Sequence, residues 1–314
     1  MRMPQPVETG RVSRKLQVKL ALLKARLALA TGSIAQHRIF GHVADDVWFL
    51  LNTAAYRRYG FLRRLLPGLP DPQIQREFIG SEGDRALREA FRAYQLIRYL
   101  SAQCGRPVTR QSAVLDFGCG WGRTIRFFLR DAPAGQLHGA DVMKRAVELS
   151  RETNPWCQFS QVPPVPPSSL PSDTFDLIYL YSVFSHLSEE AHDRWLSEFH
   201  RILRPDGLLF ATTWPRHYLE RCELSRQGDV RGGTHPGSAL AFEGTEGWLR
   251  RYDDGEYCHS AIGGRDSLSS DFYGESCIPE SYVRRRWSDR FAVRNYVEAD
   301  DDWLWQNLIV AQRR

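Results

Sequence analysis

An α/β fold built on a mostly parallel sheet is predicted by three observations. From Ser112 onward, short apolar runs alternate with amphipathic helical stretches, the pattern of parallel strands covered on both faces. The run Asp116-Phe117-Gly118-Cys119-Gly120-Trp121-Gly122 stands where the first of these strands passes into a helix, and its glycines let the backbone turn tightly and approach a ligand. A second acid, Asp141, closes the next strand about 20 residues further on, where bonds to ribose hydroxyls are made in nucleotide-binding sheets.

The elements follow in order. Strands are expected at residues 113–117, 136–142, 158–161, 175–181 and 208–214, with helices at 121–130, 144–152 and 188–203 between them. Arg204-Pro205-Asp206-Gly207 closes the last of these helices. Residues 282–287 read as helical, and 291–298 and 303–312 as two strands joined by the acidic turn Asp300-Asp301-Asp302. Ahead of the sheet, residues 46–66 and 83–104 have helical periodicity, the first stopping at the breaker cluster Pro67-Gly68-Leu69-Pro70. The expected organisation is a helical extension or cap over residues 1–105 and a sheet domain over 106–314, with a lid-like insertion at about 218–278.

Residues 11–30 place Leu16, Leu20, Leu23 and Leu27 on one helical stripe with basic residues between them. The commoner use of such a stripe is docking on the protein's own body, and that is the expectation. Contact with an anionic membrane surface or a partner is the alternative. Within the insertion, ten of the 47 residues from Gly228 to Gly274 are glycine, which reads as either a mobile lid or padding. Trp248, Tyr252, Tyr257, Phe272 and Tyr273 favour a lid that orders over a ligand.

Composition excludes several classes. The formal charge of +5 divides into +6 on residues 1–30, which hold seven basic residues and one acid, and −1 on the rest, so the body carries no field suited to nucleic acid. Cysteines 104, 119, 157, 222, 258 and 277 form no Cys-x-x-Cys pair, which fits a reducing cytoplasm and no structural zinc. No apolar run is long enough to span a membrane. Tyr252-Asp253-Asp254-Gly255-Glu256-Tyr257-Cys258-His259 gathers carboxylates and an imidazole, but a solvated loop is the expected reading and no metal is assigned. His235 and Cys222 have no ligand spacing.

Negative charge at Asp116 would oppose a pyrophosphate and favour a cationic ligand. The glycines run Gly-x-Gly-x-Gly, and no Gly-Lys-Ser/Thr follows. On these residues the chain resembles the class I S-adenosylmethionine-dependent methyltransferases, from about residue 112 to 314 with the Gly-rich insertion as a break. Phe175-Asp176-Leu177-Ile178-Tyr179-Leu180-Tyr181-Ser182-Val183-Phe184-Ser185-His186-Leu187 resembles the family's fourth-strand motif, in a form similar to a bacterial subgroup associated with glycan or natural-product pathways. Arg201 to Gly207 resembles the turn before the fifth strand, with Asp206 in place of a glycine, and Gln306-Asn307-Leu308-Ile309-Val310 the last strand, with Asn307 replacing an acid.

The resemblance implies a Rossmann-like class I methyltransferase fold: a seven-stranded, mostly parallel sheet with its last strand antiparallel. It implies S-adenosyl-L-methionine as cofactor, S-adenosyl-L-homocysteine as product, and methylation of a small molecule or glycan, at oxygen. Asp116 and the backbone of Gly118, Cys119, Gly120 and Gly122 would face the methionine moiety, and Asp141 the ribose. Val142 and Met143 would border the adenine, Gln161 or Ser160 would bond its amino group in place of an acid, and Tyr181 and Ser182 would line the pocket. His186 is the first candidate for a base; a histidine that bonds backbone and orients the loop is the commoner role. Tyr252 and Tyr273 are acceptor-side candidates. Nucleic acid is excluded as acceptor, because Tyr181-Ser182-Val183-Phe184 stands where exocyclic-amine methylases carry Asn/Asp-Pro-Pro-aromatic. Two other readings remain, a methyltransferase-like non-catalytic binding subunit and a nicotinamide-dependent oxidoreductase. The intact acids oppose the first and the glycine spacing the second.

Overall fold

The computed structural model describes residues 13–228, 239–264, 268–300 and 304–314; Arg2, Glu8, Arg11, His235, Asp301 and Asp302 lie outside them. Among the described residues nine strands form two sheets. The main sheet takes β1 (Val114–Phe117), β2 (Leu137–Asp141), β3 (Gln158–Gln161), β4 (Phe175–Leu180), β5 (Leu203–Thr213), β8 (Phe291–Val297) and β9 (Asn307–Arg313) in the order β3-β2-β1-β4-β5-β9-β8. All neighbours from β3 to β5 are parallel, while β9 runs antiparallel to both β5 and β8, as expected. The small sheet is the antiparallel pair β6 (Cys258–Ser260) and β7 (Glu275–Cys277) inside the insertion.

Strand periodicity assigns each side chain to one face. Val114, Leu177, Tyr179, Leu208, Phe210 and Val310 join one core, and Leu115, Phe117, Ile178, Leu180, Leu209 and Ile309 the other. Helices α9 (Glu189–Ile202) and α12 (Glu280–Arg286) cover the second face. Ser188 caps α9 by accepting from the Ala191 N–H, and Glu189 and Glu190 complement the helix dipole in its first turn. The first face is covered by α7 (Ile125–Phe128) and by the N-terminal helices, which share its core.

Those helices are α1 (Arg14–Thr31), α2 (Gln36–Phe40), α3 (Asp45–Asn52), α4 (Ala54–Arg58), α5 (Pro72–Ile79) and α6 (Gly83–Gln103). The stretch read as one helix over 46–66 is broken at Thr53, and a 3-10 turn, Gly60–Arg64, follows α4. Asn52 and Thr53 bond back to the Trp48 and Phe49 carbonyls, a local alternative to continuing the helix. The helix expected over 121–130 shrinks to the four residues of α7. Strand β5 begins five residues earlier than expected, because Leu203 already pairs with Phe175; residues 204–207, with Asp206 at φ 61°, form an irregularity before Leu208 pairs with Leu177.

Two further expectations are overturned. The Leu stripe of α1 does not dock on the protein: Ala21, Ala25 and Ala28 are the buried residues, and Leu16, Leu20, Leu23 and Leu27 are exposed. The insertion aromatics mostly build a core of their own. Trp248 and Tyr252 pack with Tyr218, Leu219, Cys222, Phe242, Cys258 and Cys277, between α10 (Arg216–Arg226), α11 (Thr245–Asp253) and the small sheet. Tyr257 is buried against α9 and α12, with its hydroxyl donating to the Leu187 carbonyl. All six cysteines are free, five of them buried.

The extension is pinned to the sheet domain by polar groups as well as by packing. Arg126 of α7, 1% exposed, donates to the carbonyls of Pro67 and Gly68 and to Asn52 Oδ1. Among the described residues no carboxylate pairs with it, and burial pulls its pKa down to about 10. Trp48 Nε1 donates to the Phe127 carbonyl, and Arg130 bridges the Val43 carbonyl and Asp45.

Candidate active site

The site forms at the carboxyl ends of β1, β2 and β4, where ligands bind in open α/β sheets. Gly118, Gly120 and Gly122 adopt φ of 71°, 54° and 74°, a region closed to other residues except under strain. At Gly118 there is a second requirement: a Cβ would stand 2.4 Å from Val183 Cγ2, so the segment after β4 can close on the loop only over glycine. Gly120 faces Phe78 of α5, which places the N-terminal helices over the loop. Gly122 turns towards Ser150 and Phe159 inside the fold, and the Cys119 side chain is buried, so neither carries a side chain to a ligand.

Four of the loop's N–H groups are already spent. Gly118 and Cys119 donate to the Ala140 carbonyl at 2.8 and 3.1 Å, Gly122 to the Cys119 carbonyl at 2.9 Å, and Gly120 to Asp141 Oδ2 at 2.9 Å. A pyrophosphate would therefore find these donors occupied, in contrast to the usual phosphate-binding glycine loop. Asp141 takes a second bond from the Met143 N–H at 2.9 Å through Oδ1. Both its oxygens thus hold the loop to the end of β2, and each keeps a lone pair for a ligand. Burial raises the Asp141 pKa against these two bonds.

Asp116 stands on the first face of the sheet, where its strand neighbour Val114 is apolar. It is fully buried, and burial drives its carboxyl up to about 7. The Tyr179 hydroxyl lies beside it, yet neither that hydroxyl nor Asp116 Oδ2 completes a hydrogen bond of good geometry. An orphaned, buried carboxylate oxygen is costly unless a donor arrives. This is the structural observation that tests a cationic cofactor here, and the residues fit one. Val142, Met143 and Gln161 line a cleft of about 540 Å³ together with Lys144, Arg145, Val162, Pro163 and Pro164. It is large enough for the adenosine end of such a molecule.

The acceptor side is built from the turn after β4 and from the insertion. Ser182, at φ 61°, is a non-glycine residue held in a left-handed conformation, a strain found preferentially at functional sites. Its N–H donates to Thr212 Oγ1 at 2.7 Å, and its hydroxyl accepts from Gln306 Nε2 at 3.1 Å. His186 follows. Its Nδ1 lies 2.9 Å from the Gly274 carbonyl, which can only accept, so Nδ1 carries the hydrogen and Nε2 accepts from the Ser182 hydroxyl at 3.3 Å. Glu275 Oε2 is 3.5 Å from Nδ1 and is held by Trp214 Nε1. Tyr273 stacks on the imidazole with ring centroids 5.0 Å apart and 12° between planes. Burial raises the pKa of the Tyr273 hydroxyl, with Glu275 and Asp141 adding to it.

Two candidate residues stand elsewhere. Tyr252 is part of the insertion core, its hydroxyl beside Tyr296, and does not reach His186. Tyr181 lies under the Arg123 guanidinium and lines a small cleft with Glu89, Arg92 and Trp305, on the α6 side of the cradle. The stretch 252–259, expected as a solvated loop, instead runs from the end of α11 into β6 with Tyr257 and Cys258 buried. Its exposed acids are ion-paired, Asp253 with Arg216 and Glu256 with Arg251, and among the described residues no cluster could hold a metal ion. His259, to which the sequence gives no role, lies near His186. Its Nδ1 bonds Ser276 Oγ at 2.8 Å, its Nε2 is buried without a partner, and burial, with His186 nearby, lowers its pKa to about 4. Only the pairing of β6 with β7 brings it here, and no local pattern announces that.

The buried Asp116 gives a prediction. A cationic ligand favours its ionised form, so binding near pH 6–7 should expel a proton, and affinity should rise with pH through about 7. Calorimetric titrations with S-adenosylmethionine in buffers of different ionisation enthalpy measure the proton count, and Asp116→Asn should abolish it. Without ligand the sign is reversed. Between the ordinary value of 3.8 and about 7 the native state holds a proton that the unfolded chain has lost, so this group's contribution to stability falls as pH rises.

The chain is similar to several known proteins. Residues 114–207 match a family model described as a methyltransferase domain. An uncharacterised protein of Rickettsia prowazekii is 30% identical over 108 residues, covering 33% of this chain and 43% of that protein. A malonyl-[acyl-carrier protein] O-methyltransferase of Halalkalibacterium halodurans is 26% identical over 134 residues, covering 41% and 49%. The chain thus spans less than half the length of these curated relatives. Among solved structures, the 1,6-didemethyltoxoflavin-N1-methyltransferase of Burkholderia thailandensis, with 1,6-didemethyltoxoflavin and S-adenosylhomocysteine bound, is 16% identical. That likeness covers 78% of this chain and 91% of the other, with a TM-score of 0.45.

Proposed function

We propose that this protein is an S-adenosylmethionine-dependent methyltransferase, residues 114–207 matching a family model described as a methyltransferase domain, and that it methylates a hydroxyl group of a small molecule or glycan. The observation that carries the acceptor chemistry is His186, whose Nδ1 is fixed on the Gly274 carbonyl while Nε2 is bonded to a hydroxyl. When bound, S-adenosylmethionine supplies an electrophilic methyl group. Asp116 and the Gly118–Gly120 loop would hold its methionine end, Asp141 its ribose, and Val142, Met143 and Gln161 its adenine.

The chain's own residues perform the rest. An acceptor hydroxyl taking the position of the Ser182 hydroxyl would donate to His186 Nε2, which accepts its proton as the oxygen becomes nucleophilic. The resulting imidazolium is stabilised by Glu275 at 3.5 Å and by the stacked face of Tyr273. His259 Nε2, buried and unpartnered, is available to bond the acceptor. Tyr273 and the insertion exclude water from the imidazole, which is only 16% exposed. The relative named for O-methylation supports the choice of oxygen.

The test is release of S-adenosylhomocysteine with panels of hydroxylated, amine and thiol acceptors, and the new methyl group located by NMR. With the acceptor so found, His186→Gln should lower kcat by about 100-fold or more while leaving S-adenosylhomocysteine affinity unchanged. Near-normal turnover in that variant, or transfer only to amines or thiols, would overturn the reading. Tight binding of NAD with no binding of the sulfonium compounds would remove the cofactor assignment itself.

A further inference from the structure

Helix α1 presents two apolar faces, and the protein uses one. Ala21, Ala25 and Ala28 pack inward, with Val18, Leu22 and Leu29 at the margins of the contact. Small side chains let the helix lie close to the body, and the leucines stand away from it. Leu16, Leu20, Leu23 and Leu27 are 47–56% exposed. At 100° per residue they form a single stripe about 16 Å long on the outer surface.

The charge around that stripe is of one sign. Lys15, Lys19 and Arg26 border it on one side and Lys24 on the other, all exposed. No acid occurs from residue 14 to residue 44. Exposed leucines flanked on both sides by cations, on a helix already anchored by its opposite face, match the chemistry of an anionic lipid surface. The leucines enter the acyl boundary while the lysine stems reach back to the headgroups. The same charge opposes the other occupants. A second copy packed stripe to stripe would set these cations against themselves with no acid to compensate. Among the described residues no helix is long and apolar enough to cross a membrane, which leaves α1 in the plane of the interface.

We propose that this protein binds anionic membranes peripherally through the outer face of α1. Leu16, Leu20, Leu23 and Leu27 insert, and Lys15, Lys19, Lys24 and Arg26 meet anionic headgroups. The surface lies on the N-terminal extension, and the inference is independent of the acceptor assigned above.

Flotation of the full chain with phosphatidylcholine vesicles, with and without phosphatidylglycerol, tests it. Binding should require the anionic lipid and weaken as ionic strength rises from about 0.15 M to about 1 M, where the Debye length falls from about 8 Å to about 3 Å. Leu20→Gln with Leu23→Gln should reduce partitioning about tenfold or more, since both side chains are lost from the acyl boundary. Lys19→Gln with Lys24→Gln should weaken binding and flatten the salt dependence. All four positions are exposed, so thermal unfolding should match the parent and show the fold intact. The proposal is overturned if the parent stays off anionic vesicles or if the leucine variant floats as well as the parent. It is equally overturned if the stripe proves to hold a second copy, seen in sedimentation as a dimer that the leucine variant abolishes.

Discussion

Asp141→Ala binds S-adenosylhomocysteine at least about 100-fold more weakly than the parent protein, a loss of about 2.7 kcal/mol. The effect has two sources. Bonds from a ribose to the carboxylate disappear, and so do the bonds from the Gly120 and Met143 N–H groups, which shape the loop before any ligand arrives. Bonds to a charged acceptor contribute roughly 1.5–3 kcal/mol each, so the loop is expected to loosen as well. The variant should therefore also melt earlier, and Asp141→Asn should lie between, since its amide keeps one acceptor oxygen for two donors. Isothermal titration and a melting curve on each protein separate the two contributions. Unchanged affinity together with a lowered Tm would confine Asp141 to shaping the loop and end its assignment to the ribose.

The second large effect falls far from any ligand. Arg126→Met should lower the free energy of unfolding by about 3 kcal/mol, because the Pro67 and Gly68 carbonyls lose their donors inside the fold and a buried unpaired group costs roughly 1–3 kcal/mol. Relief from burying a guanidinium without a counter-ion offsets part of this. The net change should appear as a drop of roughly 5–10 °C in Tm. Arg126→Lys should recover only part, since one ammonium cannot satisfy three acceptors held in a fork. A Tm within a degree of the parent in the methionine variant would show that the extension does not depend on this contact.

Neither effect is visible from the same kind of signal. Asp141 is legible because strand, glycine loop and acid lie in register along the chain, so local pattern and site coincide. Arg126 is not, since an arginine one turn into a helix reads as a solvated residue until the Pro67-Gly68 turn closes over it. Asp71-Pro72 with Gly80 was a readable helix: Asp71 accepts from the Gln73 N–H, Pro72 opens α5, and Gly80 ends it at φ 69°. Its caps are local signals, but its eight residues carry no long apolar stripe. In α1 the apolar period is right and the face is wrong. Ala and Leu fall on opposite sides of one helix, and hydrophobicity favours the leucines, whereas close approach to the body selects the alanines. The acceptor side shows the same limit. His186 could be named from the end of β4, but its partners Gly274 and Glu275 come from about 90 residues away, through an insertion whose aromatics pack on each other.

The free thiols have a practical consequence. Cys258 and Cys277 face each other in register across β6 and β7, while Cys119 and Cys157 lie in the core against the first face of the sheet, and burial raises the pKa of all four. A thiol is modified as thiolate and only when reagent reaches it, so each pair is a natural clock for the opening of its own region. Mass spectrometry after timed alkylation can thus follow the breathing of the insertion separately from that of the sheet, with no foreign label attached, and half-exposed Cys104 marks zero time.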